Sequence, residues 1–368
     1  MFLVSTVLTD GHVTCIGNPR TMQDKKFKFF TEPYAHQREA FDKSSEQTNY
    51  ALLMDMGTGK TKVTIDTIGL LFEEKKIDIA VVVAPKGVIA NWVAEIETHL
   101  PPRIEREVLL WNPNLTDKVK KSLRALYTKT GKLKFLLMNV EAFSTDKGTD
   151  VAKAFIKMFK AIMVVDESTT IKNRGAQRTI ALCAVGRGAR YRRILTGSPV
   201  TKSPLDLFSQ MGFLDPDILG FKNFYAFQSR YALLDKKHMG ARIFNQVIGY
   251  QRLDELTEKL SKSSFRVRKE DCLDLPDKVY EKREVALTKE QEKAYKQMKQ
   301  LALAQLSNGE LSTTHSVLTQ IMRLQQICCG HLTDDEGKVH DLSSNRIKSL
   351  LDLCEEVQGK AIVWATWT

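Results

Sequence analysis

No two cysteines in this chain stand two residues apart, and only six are spread over 368 residues. That scatter excludes the ligand spacing of a zinc finger or ribbon and points to buried thiols in a reducing compartment. Cys328, Cys329 and His331 cluster, but in the pattern of a helix end rather than of a metal site. Long apolar runs are missing too, so no segment has the length to cross a bilayer. The opening MFLVSTVLTDGHVTCIG lacks a basic leader and a small-residue cleavage site. Asp10-Gly11, set between two β-rich runs, reads instead as the tight turn of a hairpin. Internal repeats and low-complexity tracts are also absent. These absences imply a cytoplasmic or nuclear protein without a membrane partner, and leave a bacterial or viral origin open.

What is present is the composition of a globular protein, 43% hydrophobic and 27% charged. A chain of this length predicts about two domains. The formal net charge of +11 fits either a polyanion partner or a solvated basic surface. From about residue 50 to 200, short runs such as YALLM, IAVVVAP, REVLLW, KFLLMNV, AIMVVD and RRILTG alternate with helical patterns. Apolar throughout rather than alternating, they predict strands of a parallel sheet covered on both faces. Ligands of such a doubly wound α/β domain bind at the strands' carboxyl ends.

Two segments carry chemistry at such ends. Met54-Asp-Met-Gly-Thr-Gly-Lys-Thr61 follows an apolar run and precedes a helical one. Gly57 and Gly59, with Thr58 between them, let backbone N–H groups wrap phosphate oxygens; Lys60 adds a point charge and Thr61 a hydroxyl for Mg²⁺. Met54 stands where the strict pattern has its first glycine, so the loop alone could be an ordinary turn. Ile162 to Val165 then deliver Asp166 and Glu167. Asp166 suits the metal's water shell and Glu167 the orientation of an attacking water, although acidic residues also cap helices. Taken in this order, the two segments read as a nucleotide triphosphatase using Mg²⁺.

With these blocks in place the chain resembles ATPases of the Swi/Snf (Snf) family of helicase superfamily II, which track along duplex DNA. The resemblance runs from about residue 31 to the end. PYAHQREAF resembles the Q-type motif, which implies that Gln37 reads adenine. VVVAPKGVIANWVAEIE resembles motif Ia and implies DNA contacts at Lys86, Asn91 and Trp92, although a tryptophan at a helix start commonly packs inward. VVDESTTIKN resembles the DExH box with its IKN tail, and LTGSPVTKSPLDLFSQMGFLDP resembles motif III. The latter implies that Thr196 and Ser198 couple phosphate state to DNA. FRVRKEDCLDLPDKVYEKREVALTKEQEKAY, RLQQICCGHL and KAIVWATWT are similar to later landmarks. The arginine-rich GRGARYRR (186–193), and Arg266, Arg268 and Lys269, read either as groove-lining or as solvated.

There are departures. Thr169 stands at the histidine of the DExH box, and Lys202 where many relatives carry an amide. Motifs V and VI, with the family's arginine fingers, do not occur in these residues, which implies that the 368 residues bind nucleotide but scarcely turn it over. The expected organisation is a hairpin and connector (1–30), a RecA-like ATP-binding domain (31–210), and a helical insertion and linker (211–270) without strong strands. A second RecA-like domain is expected to begin in 271–368 and remain incomplete, with a linker strand near REVAL, three helices, and a buried strand at the final KAIVWATWT. The implied activity is that of a monomeric ATP hydrolase driving sequence-tolerant translocation on double-stranded DNA. A strand-separating DNA or RNA helicase, and a non-catalytic DNA-binding scaffold, are the alternatives.

Overall fold

The computed structural model describes residues 8–9, 12–13, 27–114, 123, 127–128, 130–239, 242–272, 274, 279–307, 314–334, 336–357 and 359–365. Leu8–Thr9 (β1) pairs antiparallel with His12–Val13 (β2); Asp10-Gly11 lies outside the described residues. The chain divides into two units, Met1–Leu275 and Pro276–Thr368.

The first unit is built on a seven-stranded sheet. Its strands are Asn49–Met54 (β3), Ile79–Ala84 (β4), Arg106–Leu110 (β5), Leu133–Asn139 (β6), Ala161–Asp166 (β7), Tyr191–Leu195 (β8) and Ser264–Val267 (β11). They lie in the order β11-β3-β8-β7-β4-β6-β5, and every pairing is parallel. Successive side chains of a strand point to opposite faces, so a strand covered twice must be apolar at every position. Ile79, Val81 and Val83 of β4 accordingly enter one core, and Ala80, Val82 and Ala84 the other. The first core packs under the helices Asp146–Met158, Gln177–Gly186 and Leu207–Leu214. Ala35–Ser44 (α1), Lys60–Glu73 (α2) and Ile89–His99 (α3) cover the second.

Three sequence expectations need correction in this unit. The segment expected to be helical and free of strong strands contains an antiparallel pair, Ala232–Met239 (β9) with Arg242–Tyr250 (β10). Lys236 and Lys237 of that pair are exposed, and polar residues on an exposed ribbon do not leave an apolar strand signature. The same segment supplies β11, a short edge strand whose Phe265 alone is buried while Arg266 faces out. Arg193, read as part of a solvated loop or groove, is buried within β8. Its guanidinium donates to the carbonyls of Ser44, Gln47 and Thr48 where α1 ends, and burial lowers its pKa to about 10.

The second unit holds the helices Lys289–Ser307, Thr314–Cys329 and Asn345–Glu356, and the hairpin of His331–Thr333 (β12) with Val339–Asp341 (β13). Gln291 fastens the first two helices by donating from Nε2 to the Ile327 carbonyl at 2.8 Å. Neither the REVAL run nor residues 361–365 form a strand, and Trp364 is 90% exposed. A β-rich run becomes a strand only by pairing its backbone, and these described residues have no paired neighbour.

Candidate nucleotide site

β3 ends at Met54 and α2 starts at Lys60, so the intervening loop opens at the carboxyl edge of the sheet. Gly57 (φ 82°) and Gly59 (φ 89°) take left-handed backbone, which costs other L-residues about 1–2 kcal/mol. A Cβ on Gly59 would also collide with the Gln37 carboxamide. Lys60 is buried, and its ammonium donates to the carbonyls of Met54 at 2.9 Å and Asp55 at 3.2 Å. Burial lowers its pKa against the opposing charges of Glu167, Asp166 and Asp55. Thr58 turns its hydroxyl back to the Asp55 carbonyl, while Thr61 is half-buried at the helix start.

Gln37 sits against this loop. Its Nε2 donates to the Thr58 carbonyl at 3.1 Å, and its Oε1 accepts from the Tyr34 amide at 3.1 Å. The carboxamide keeps one N–H beside a cleft of 480 Å³ lined by Tyr34, Gly57, Lys60 and Thr61. His36, which sequence reasoning missed, lies 2.8 Å through Nε2 from the same Thr58 carbonyl. A carbonyl only accepts, so that nitrogen carries the proton.

Asp166 is held from two sides. The Trp92 indole N–H donates to Oδ2 at 2.8 Å and the Glu167 amide to Oδ1 at 2.9 Å. Trp92 is 1% exposed, which removes it from the expected DNA contacts; Lys86 and Asn91 remain exposed at the start of α3. Its four-residue spacing from the buried Ile96 was the available sign of a core position. Burial raises the Asp166 pKa, against the bonds from Trp92 and Glu167 and the charge of Lys60. Glu167 has φ 48° and ψ 60°, a strained conformation for a residue with a side chain. Burial and the neighbouring Asp166 raise its pKa, and Lys60 opposes them.

The turn after β8 closes the group. A Cβ on Gly197 would lie 3.3 Å from the Met56 amide, so the backbone between Thr196 and Ser198 rests on the glycine loop. Thr196 is buried and its hydroxyl accepts from the Ser198 amide at 3.2 Å; Ser198 itself is exposed. Ser168 donates to Gln210 Oε1 at 2.6 Å, and Gln210 Nε2 donates to the Pro199 carbonyl at 2.7 Å. This buried link between the β7 and β8 turns was not visible in the sequence, where Gln210 is one polar residue in an apolar helix. Asp55, Glu167, Thr169, Thr196 and Ser198 line a second cleft, of 460 Å³, on the other side of the loop. Lys202 is exposed beyond it.

A parallel sheet covered on both faces, with a glycine loop after β3 and an acidic pair after β7, defines a RecA-like α/β protein. The SNF2-related domain matches residues 24–332, and the chain belongs to that family. It is 25% identical over 302 residues to the SWI/SNF-related matrix-associated actin-dependent regulator of chromatin subfamily A member 3-like 1 of Arabidopsis thaliana, covering 81% of this chain and 31% of that protein. With the DNA repair and recombination protein RAD54-like of Homo sapiens it shares 26% over 286 residues, covering 74% and 37%. The chain thus spans about a third of the length of either relative. The Sulfolobus solfataricus SWI2/SNF2 ATPase core in complex with dsDNA has the same fold, with a TM-score of 0.51 and 22% identity over 89% of this chain and 65% of that one.

Proposed function

We propose that this chain is the nucleotide-handling part of an ATP-driven motor that moves along double-stranded DNA without reading its sequence. The observation that carries the proposal is the convergence of Lys60, Asp166 and Glu167 at one sheet edge, with Asp166 bonded to Trp92 of α3, the helix that presents Asn91 and follows the turn carrying Lys86. Family membership and the named DNA-handling relatives support the same reading. Lys60 would leave its carbonyl partners to neutralise phosphate charge, and the loop's amides would hold the remaining oxygens. Gln37 would face the base through its remaining N–H. Thr61 and Asp166 have the hard oxygen donors that suit Mg²⁺, and the left-handed glycines leave the cradle open for phosphate. When bound, Mg²⁺ supplies charge neutralisation on the phosphates. Glu167, next in sequence to Asp166, would orient a water for in-line attack. Thr196 and Ser198, resting on the loop, would pass its state toward the polymer.

Substitutions test the division of labour in the full-length protein. Lys60→Ala is expected to lose ATP binding, whereas Glu167→Gln is expected to bind ATP and lose hydrolysis by about 100-fold or more. Hydrolysis by Glu167→Gln at the wild-type rate would remove Glu167 from the mechanism.

A further inference from the structure

The segment Phe265-Arg-Val-Arg-Lys269 has no part in the roles above, yet it is fastened to the phosphate loop. The Asp55 amide donates to the Val267 carbonyl at 3.1 Å, and the Lys269 amide donates to Asp55 Oδ2 at 3.0 Å. These two bonds tie the end of β11 to the loop that β3 launches. The Lys269 side chain is exposed, and its ammonium lies 3.8 Å from where a Cβ on Gly57 would be. It lines the 460 Å³ cleft together with Glu167, Thr196 and Ser198. The cleft therefore combines one cation, the carboxylates of Glu167 and Asp55 (the latter already accepting from the Lys269 amide) and several hydroxyls beside a loop already suited to phosphate.

We propose that Lys269 is a second phosphate-binding lysine, contacting the terminal phosphate of a bound nucleoside triphosphate from the Glu167 side of the loop. The inference rests on the nucleotide reading above and adds a residue and a specificity to it. Lys60 is buried beneath the loop, bonded to two of its carbonyls, and is placed to serve every nucleotide the loop holds. Lys269 reaches the loop's solvent side with a flexible four-carbon stem whose base is fixed by the Asp55 contact. A cation there meets the third phosphate and little else. It distinguishes triphosphate from diphosphate, and it adds positive charge where charge develops during transfer.

The test compares Mg²⁺-dependent binding of fluorescent ATPγS and ADP to the full-length protein, with thermal melting as a check on folding. Lys269→Ala is expected to weaken ATPγS about tenfold and ADP by about twofold or less, because one charge-assisted contact is lost. Lys269→Arg should keep most of the preference. Equal weakening of both nucleotides would mean that Lys269 supports the loop rather than the phosphate, and no change in either would remove it from the site. Either result overturns the proposal while leaving the nucleotide reading intact. A wild-type protein that binds neither nucleotide would overturn both.

Discussion

At Asp166 two donors fix the carboxylate, the Trp92 indole and the Glu167 amide. Trp92→Phe keeps an aromatic ring in the core and removes one donor. Neighbouring hydrogen bonds of this kind commonly change activity by about 10–100-fold, so turnover is expected to fall within that range. The Mg²⁺ concentration needed for half-maximal turnover should rise as well; an unchanged Mg²⁺ dependence would reduce Trp92 to packing. A second buried carboxylate governs stability. Asp66 lies 2.8 Å from the Lys62 ammonium, yet burial lifts its pKa from 3.8 to about 6. The folded state thus holds its proton more tightly than the unfolded chain. Its contribution is most favourable below pH 3.8 and declines as pH rises to about 6. Melting of wild type and Asp66→Asn across that window checks the sign: the wild type should lose stability relative to the variant as pH rises. The placement of Gly57, Gly59 and Lys60 at a strand-to-helix turn was legible from their neighbours in sequence. Trp92 and Asp166 are 74 positions apart, and only packing shows that they meet.

Among elements, the central strands were legible because burial on both faces leaves a continuous apolar signature. β11 was not, since an edge strand pairs on one side and tolerates Arg266 facing out. The β9–β10 ribbon escaped for a related reason: exposed strands take polar residues that helices also accept. Joints between elements are less visible still. Gln210, in the helix Leu207–Leu214, bridges the turn after β7 to the turn after β8 through Ser168 and the Pro199 carbonyl. Gln210→Leu fills the space but strands both partners, and should cost about 1–3 kcal/mol in denaturant unfolding. If the bridge transmits phosphate state, ATP affinity should hold while DNA-stimulated hydrolysis falls. Loss of affinity in step with hydrolysis would make Gln210 a purely structural residue.

For the molecule as a whole, sequence charge sets one expectation and topology another. A net charge of +11 with Lys86 and Asn91 exposed favours contacts to backbone phosphates over base edges. Affinity for unrelated duplexes should therefore be similar and should fall steeply between 50 and 200 mM salt, by about 10-fold or more. A flat salt response, or a strong preference for one sequence, would exclude that mode. Topology bears on the order in which the protein is made. β3 and the glycine loop emerge from the ribosome before the strand that flanks β3, which begins at Ser264, and before the Val267 and Lys269 backbone that grips Asp55. At about 5–20 residues per second, the chain spends roughly 10–40 s with that side of β3 unpaired. Nascent chains arrested before β11 should consequently expose a strand edge to chaperones, and the loop should gain its final shape only when synthesis passes Lys269.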